Sequence, residues 1–122
     1  MSPSKFQYRL KEELRRILSG IVEYEARDPI IRAAFPTVME VKLSPDNRYA
    51  TVYVAVGAAD VDKTAVMEAF QRDRGFFRSQ LASQLTLRHI PALEFRLDES
   101  VERSIRFDSL LHGDASDDAP AA

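Results

Sequence analysis

The chain has no cysteine and only two histidines among its 122 residues. The first absence excludes disulfides, thiolate nucleophiles and cysteine-held zinc, and it fits a reducing compartment. The second leaves little for metal binding or general-base catalysis, which recruit histidine most often. His89 and His112 each lack a neighbouring His, Cys or HExxH-type partner. His89, between Arg88 and Ile90, reads as a residue that meets the last carbonyls of a helix. Also missing are a Gly-rich phosphate loop, a Walker sequence and a GxSxG elbow. The acids Glu23, Glu25 and Asp28 read as solvated surface and not as a carboxylate pair with a raised pKa. No apolar run approaches the roughly 20 residues of a membrane helix, and the start, Met1-Ser2-Pro3-Ser4-Lys5-Phe6, is not laid out as a signal peptide. The expectation is a cytoplasmic protein that is not an enzyme and carries no cofactor or metal.

What is present is the composition of an ordinary soluble domain, 45% hydrophobic and 30% charged, with length for one core. The formal charge of −2 is unevenly spread. Residues 1 to 98 hold 15 Lys+Arg against 13 Asp+Glu, and residues 99 to 122 hold 2 against 6. A weakly basic body with an acidic end can still bind phosphate, because local field and not net charge decides.

Phe6, Leu10, Leu14, Ile17, Leu18, Ile21 and Val22 fall in one stripe at helical spacing, which predicts an amphipathic helix over residues 4 to 24. On its other face, Glu12 and Arg16 are spaced to pair at i, i+4. Asp28-Pro29 ends the region, since a residue before proline is pushed out of the helical well. Thr37 to Ser44 alternates, with Met39, Val41 and Leu43 predicted inward and Val38, Glu40 and Lys42 outward. The turn residues 45 to 48 lead into Tyr49 to Val56, rich in β-branched and aromatic residues, so the two segments make a hairpin. Its inner face is Ala50, Val52, Val54 and Val56. Gly57 breaks the strand, and Asp60 is expected to cap a helix running to about Arg72, with Ala65, Val66, Ala69 and Phe70 inward. A second helix resumes after Gly75 with Phe77, Leu81 and Leu85. Ala92 to Asp98 alternates as a third strand, with Leu93, Phe95 and Leu97 inward, and residues 100 to 111 fit a last short helix. The end of the chain, 112 to 122, has nothing to bury and is expected to be disordered. The order helix, strand, strand, helix, helix, strand implies an α+β domain over residues 1 to 111. Its three-stranded mixed sheet is covered on one face and closed by a right-handed crossover.

Arg72, Arg74 and Arg78 surround the break at Gly75, with Asp73 as the one opposing charge. A break there exposes the amides that open the second helix, and unpaired donors at the positive end of a helix dipole attract phosphate. Arginine adds a planar fork suited to phosphate oxygens. The plainer reading is that Gly75 only lets two helices turn, while Arg78 lays its stem along the apolar stripe. Asp73 is expected to cap the second helix by accepting from the amides of Gly75 or Phe76, which would partly occupy those donors. Tyr49, Thr51 and Tyr53 on the outer sheet face suggest base stacking, but the face is shared with Glu40, Lys42, Glu94 and Arg96. Ordinary cross-strand pairing is the better account.

Several stretches together resemble the ribosome-binding factor A family: Arg27-Asp28-Pro29, the segments 37–46 and 49–54, Gly75-Phe76-Phe77-Arg78 with Leu81 and Leu85, and the segments 87–95 and 98–100. The resemblance spans about residue 5 to Leu111. It implies a KH-like fold of the second type, in which a helix-kink-helix with the pattern Ala-x-Gly replaces the usual Gly-x-x-Gly loop. That pattern falls on Asp73-Arg74-Gly75, so an aspartate stands where the family has alanine. It also implies a non-catalytic RNA-binding factor, a monomer, that associates with the immature 30S subunit, contacts 16S rRNA, assists its late maturation and supports growth in the cold. Arg72, Arg74, Arg78 and Arg88 are the expected phosphate contacts, with Gly75 allowing close approach. The rival readings are a protein-interaction adaptor without direct RNA contact and, more remotely, a small hydrolase.

Overall fold

The computed structural model describes residues 4–100. The helix expected over residues 100 to 111 and the acidic tail of 112 to 122 therefore lie outside the described residues.

Helix α1 (Lys5–Tyr24) starts where the Ser4 side chain accepts from the Gln7 amide, and it buries Leu10, Leu14, Ile17, Leu18, Ile21 and Val22. The apolar stripe thus forms as its spacing predicts, except at Phe6, which is 58% exposed. The reason is that the first turn of α1 reaches past the core to the turn at residues 44 to 47. There the Gln7 amide nitrogen lies 3.2 Å from Ser44 O, 3.0 Å from Pro45 O and 2.9 Å from Asn47 Oδ1. The charged face pairs one step shorter than the i, i+4 expectation: Arg15 with Glu12 at 3.3 Å and Arg16 with Glu13 at 2.7 Å.

A short helix follows that the sequence pattern did not reveal, α2 (Pro29–Ala33), capped by Asp28, whose carboxylate accepts from the Ile30 amide. Pro29 suits its first position, where no helical hydrogen bond is lost and φ is already set. Strand β1 (Pro36–Leu43) pairs antiparallel with β2 (Tyr49–Val56), and β2 pairs parallel with β3 (Ala92–Leu97). The order β1-β2-β3 is the expected mixed sheet. A register shift between Val38 and Glu40 corrects the predicted facing of β1. Val38 is buried and Met39 is 37% exposed, because one extra residue in the strand reverses the alternation on its N-terminal side. Beyond the bulge, Val41 faces the core as the alternation requires.

Gly57 closes β2 for a steric reason. Its amide donates to both Ala34 O and Phe35 O at 3.1 Å, and a Cβ there would sit 2.9 Å from Phe35 O. Helix α3 (Lys63–Arg72) is capped by Asp62, which accepts from the amides of Thr64 and Ala65, and not by Asp60 as the composition suggested. It buries Val66, Ala69 and Phe70, with Ala65 only partly covered. Helix α4 (Arg74–Gln84) buries Phe77 and Leu81. The helices pack on the sheet face that carries Val38, Val41, Ala50, Val52, Val54, Leu93 and Phe95. On the outer face Glu94 pairs with Arg96 at 3.1 Å, and Lys42 Nζ lies 5.3 Å from the Tyr53 ring centroid. That face thus carries one pair along β3 and one across β1 and β2, and the second is of the cross-strand kind that the side-chain pattern indicates.

Candidate nucleic-acid interface

Helices α3 and α4 meet at one residue. Asp73, at φ −96 and ψ 8, donates its amide to Ala69 O at 3.0 Å, while its carbonyl accepts from the Phe77 amide at 3.1 Å. The angle between the helices is held from below by aromatic packing. Phe70 and Phe77 stack with centroids 5.6 Å apart, and they meet Phe95 of β3 at 4.9 and 5.4 Å. Burying such rings is the largest favourable contribution a small core of this kind offers.

Two expectations about the bend need correction. Asp73 makes no side-chain cap to α4, so the first-turn amides keep no side-chain partner and the anticipated competition for them is absent. Gly75 lies inside α4, exposed and with open space around a notional Cβ. No left-handed backbone is needed there, so the turn is set at Asp73 and by the phenylalanines, not by glycine.

The five sequence-predicted residues are not all in one place. Arg74 opens α4, is exposed, and its guanidinium has no hydrogen bond or ion pair among the described residues. Arg72 ends α3 and pairs with Asp28 at 3.4 Å, tying α3 to the cap of α2. The guanidinium of Arg78 is engaged by the chain itself, donating to Ile90 O at 2.7 Å and Pro91 O at 3.2 Å. Its first role is therefore to hold the segment between α4 and β3. Arg88 is on that segment, exposed. Two of the three acids expected as solvated surface turn out to be clips, Asp28 as described and Glu25, which accepts from Gln80 and from Gln84 on α4, while Glu23 stays exposed as expected.

Arg78 and Arg88 border a cleft of about 560 Å³ beside the starts of β2 and β3, with Phe6, Arg48, Tyr49 and His89. Phe6 and Arg48 were not anticipated here, whereas Tyr49 was weighed for base stacking only on the outer sheet face with Thr51 and Tyr53. Phe6 was hidden by its place in the helical stripe, and Arg48 by its place among turn residues. In that turn Asp46 accepts from the Ser44 hydroxyl at 2.8 Å and the Arg48 amide at 3.1 Å. These donors, the hydroxyl foremost, hold its carboxyl below the usual aspartate value. Arg74 and Arg78 share a face of α4 at i, i+4, separated by a rise of about 6 Å. One helical turn thus connects the bend to the cleft.

A three-stranded mixed sheet, one face covered by α1 and by a two-helix crossover bent at a single residue, defines a KH-like domain of the second type. The family described as ribosome-binding factor A matches residues 6–111, and the chain belongs to that family. It is 40% identical over 105 residues to the ribosome-binding factor A of Syntrophomonas wolfei, covering 86% of each chain. It is similar to the crystal structure of ribosome-binding factor A from Thermus thermophilus, with a TM-score of 0.65, 27% identity, and 75% of this chain and 93% of that one covered. A Thermus thermophilus homology structure, fitted into the cryo-electron microscopy map of a 30S complex with the factor, matches at a TM-score of 0.60 and 28% identity. That match covers 75% of this chain and 93% of the other. Among the described residues no helix is long and apolar enough to cross a membrane, and no group of metal-binding side chains occurs.

Proposed function

We infer that this chain is a cytoplasmic RNA-binding assembly factor. In this reading it associates as a monomer with the immature 30S subunit, contacts 16S rRNA and assists late maturation of that RNA, without catalysis of its own and with a role in growth in the cold. The observation that carries the reading is the uncapped start of α4 beside the unpaired guanidinium of Arg74. Backbone donors and a planar cation there can act on one phosphate. The relative fitted into a 30S map supports the partner. In this reading Arg72 and Arg88 add phosphate contacts, Gly75 leaves room for the backbone of the RNA, and Arg78 shapes the surface by holding Ile90 and Pro91.

The test is sedimentation of the tagged chain with immature small subunits. Arg74→Glu, which disturbs no contact within the described residues, is expected to weaken co-migration, and nuclease is expected to abolish it for the native chain. The salt dependence of binding should also flatten by roughly the share of one phosphate contact. Co-migration that survives nuclease and ignores Arg74→Glu would instead favour a protein-interaction adaptor. Reversing Arg78 would be a poor test, because it would also free the segment that precedes β3.

A further inference from the structure

We propose that the cleft between the first turn of α1 and the starts of β2 and β3 is a second RNA site, which takes one unpaired nucleotide. The base packs against the rings of Phe6 and Tyr49, and its phosphate is held by Arg48 and Arg88. The proposal rests on the RNA-binding reading above but concerns a different surface from the bend.

Ligand chemistry follows from the lining. Three arginines, Arg48, Arg78 and Arg88, face a single carboxylate, Asp46. Arg78 is committed to two carbonyls, and Arg48 has only a 3.9 Å contact to Asp46 with both side chains mostly in solvent, too loose to hold it. Arg88 has no partner among the described residues. Two cations are therefore available, beside two rings that are 58% and 62% exposed. Cations next to open aromatic faces match a base and its phosphate, because every base has a π-face and every nucleotide a negative charge. Exposure of a ring alone would not suffice. Tyr8 and Phe35 are as exposed, but each is a single ring in its cleft, Tyr8 beside Lys5 and Arg9 and Phe35 beside Arg32 with Glu23 opposing it.

The walls are fixed before any ligand arrives. Gln7 clamps the first turn of α1 to the 44–47 turn, beside Phe6. The Ala92 amide donates to Arg48 O at 2.9 Å, joining the floor to β3. Arg78 fixes Ile90 and Pro91, next to Arg88. Affinity is gained when a site does not have to be ordered on binding.

The test titrates the full chain with a short single-stranded oligoribonucleotide and with an abasic strand of the same length, following the ring-proton signals of Phe6 and Tyr49. The native chain is expected to bind the base-bearing strand more tightly. The double variant Phe6→Leu, Tyr49→Leu keeps apolar bulk at two exposed positions but removes the rings. It should lose about tenfold in affinity for the base-bearing strand, the scale of one base stack, and leave abasic binding unchanged. Equal affinity of the native chain for the two strands would overturn the proposal, as would undiminished binding by the double variant. So would a polyglutamate peptide of matched charge that binds as tightly as the RNA. Arg74→Glu separates the two readings: if it releases the chain from small subunits while the ring variant changes nothing, the function stands and the cleft does not.

Discussion

The bend at Asp73 and the cleft beside Arg48 are both basic, yet they are put together in opposite ways. Everything at the bend comes from one short stretch, Phe70 to Arg78, resting on Phe95. The cleft is assembled from the first turn of α1, the 46–49 turn, Arg78 on α4 and the segment before β3. The lesson concerns where information is stored. A local site is written in adjacent letters, whereas an assembled one depends on hydrogen bonds between distant letters, such as those from Gln7 across 37 to 40 positions.

That contrast can be broken most forcefully at Phe77. Phe77→Ala is expected to destabilise the domain by about 3–5 kcal/mol, the usual cost of emptying a buried phenylalanine site, as read from urea melts. A loss below about 1 kcal/mol would mean that the aromatic cluster does not hold the bend. Gln7→Ala probes the other region. It should cost about 1 kcal/mol in the same melts, and it should shift the NMR signals of Phe6 and Arg48 while leaving those of Phe70 and Phe77 in place. Shifts spread evenly over both regions would dissolve the distinction. The smallest effect has the opposite sign. Because Gly75 is helical with open space beside it, Gly75→Ala should stabilise by roughly 0.5–1 kcal/mol. If RNA approaches the backbone there as proposed, the same substitution should weaken subunit binding while the melt improves.

Much of the architecture is legible in the sequence because burial imposes periodicity. The stripe from Leu10 to Val22, the hairpin and β3 all announce themselves through spacing. Helix α2 does not, since its five residues are too few to establish a period. The bulge in β1 is hidden because Val38 and Met39 are both apolar, so alternation alone cannot say which one faces inward. Asp60 and Asp62 are chemically equal as caps, and only the geometry of the amides of Thr64 and Ala65 selects between them. At the candidate site, Arg74 is readable because its neighbours in sequence are its neighbours in space. Arg78 and Arg88 carry the same charge but do different work, which depends on where Ile90 and Pro91 come to lie.

Asp73 belongs to the hydrogen-bond ladders of both α3 and α4, through its amide on one side and its carbonyl on the other. The pair is for that reason a rigid bracket and not a swivel. A load applied to Arg74 is transmitted through Phe77 into β3, so whatever grips the tip of the bracket is gripping the sheet as well.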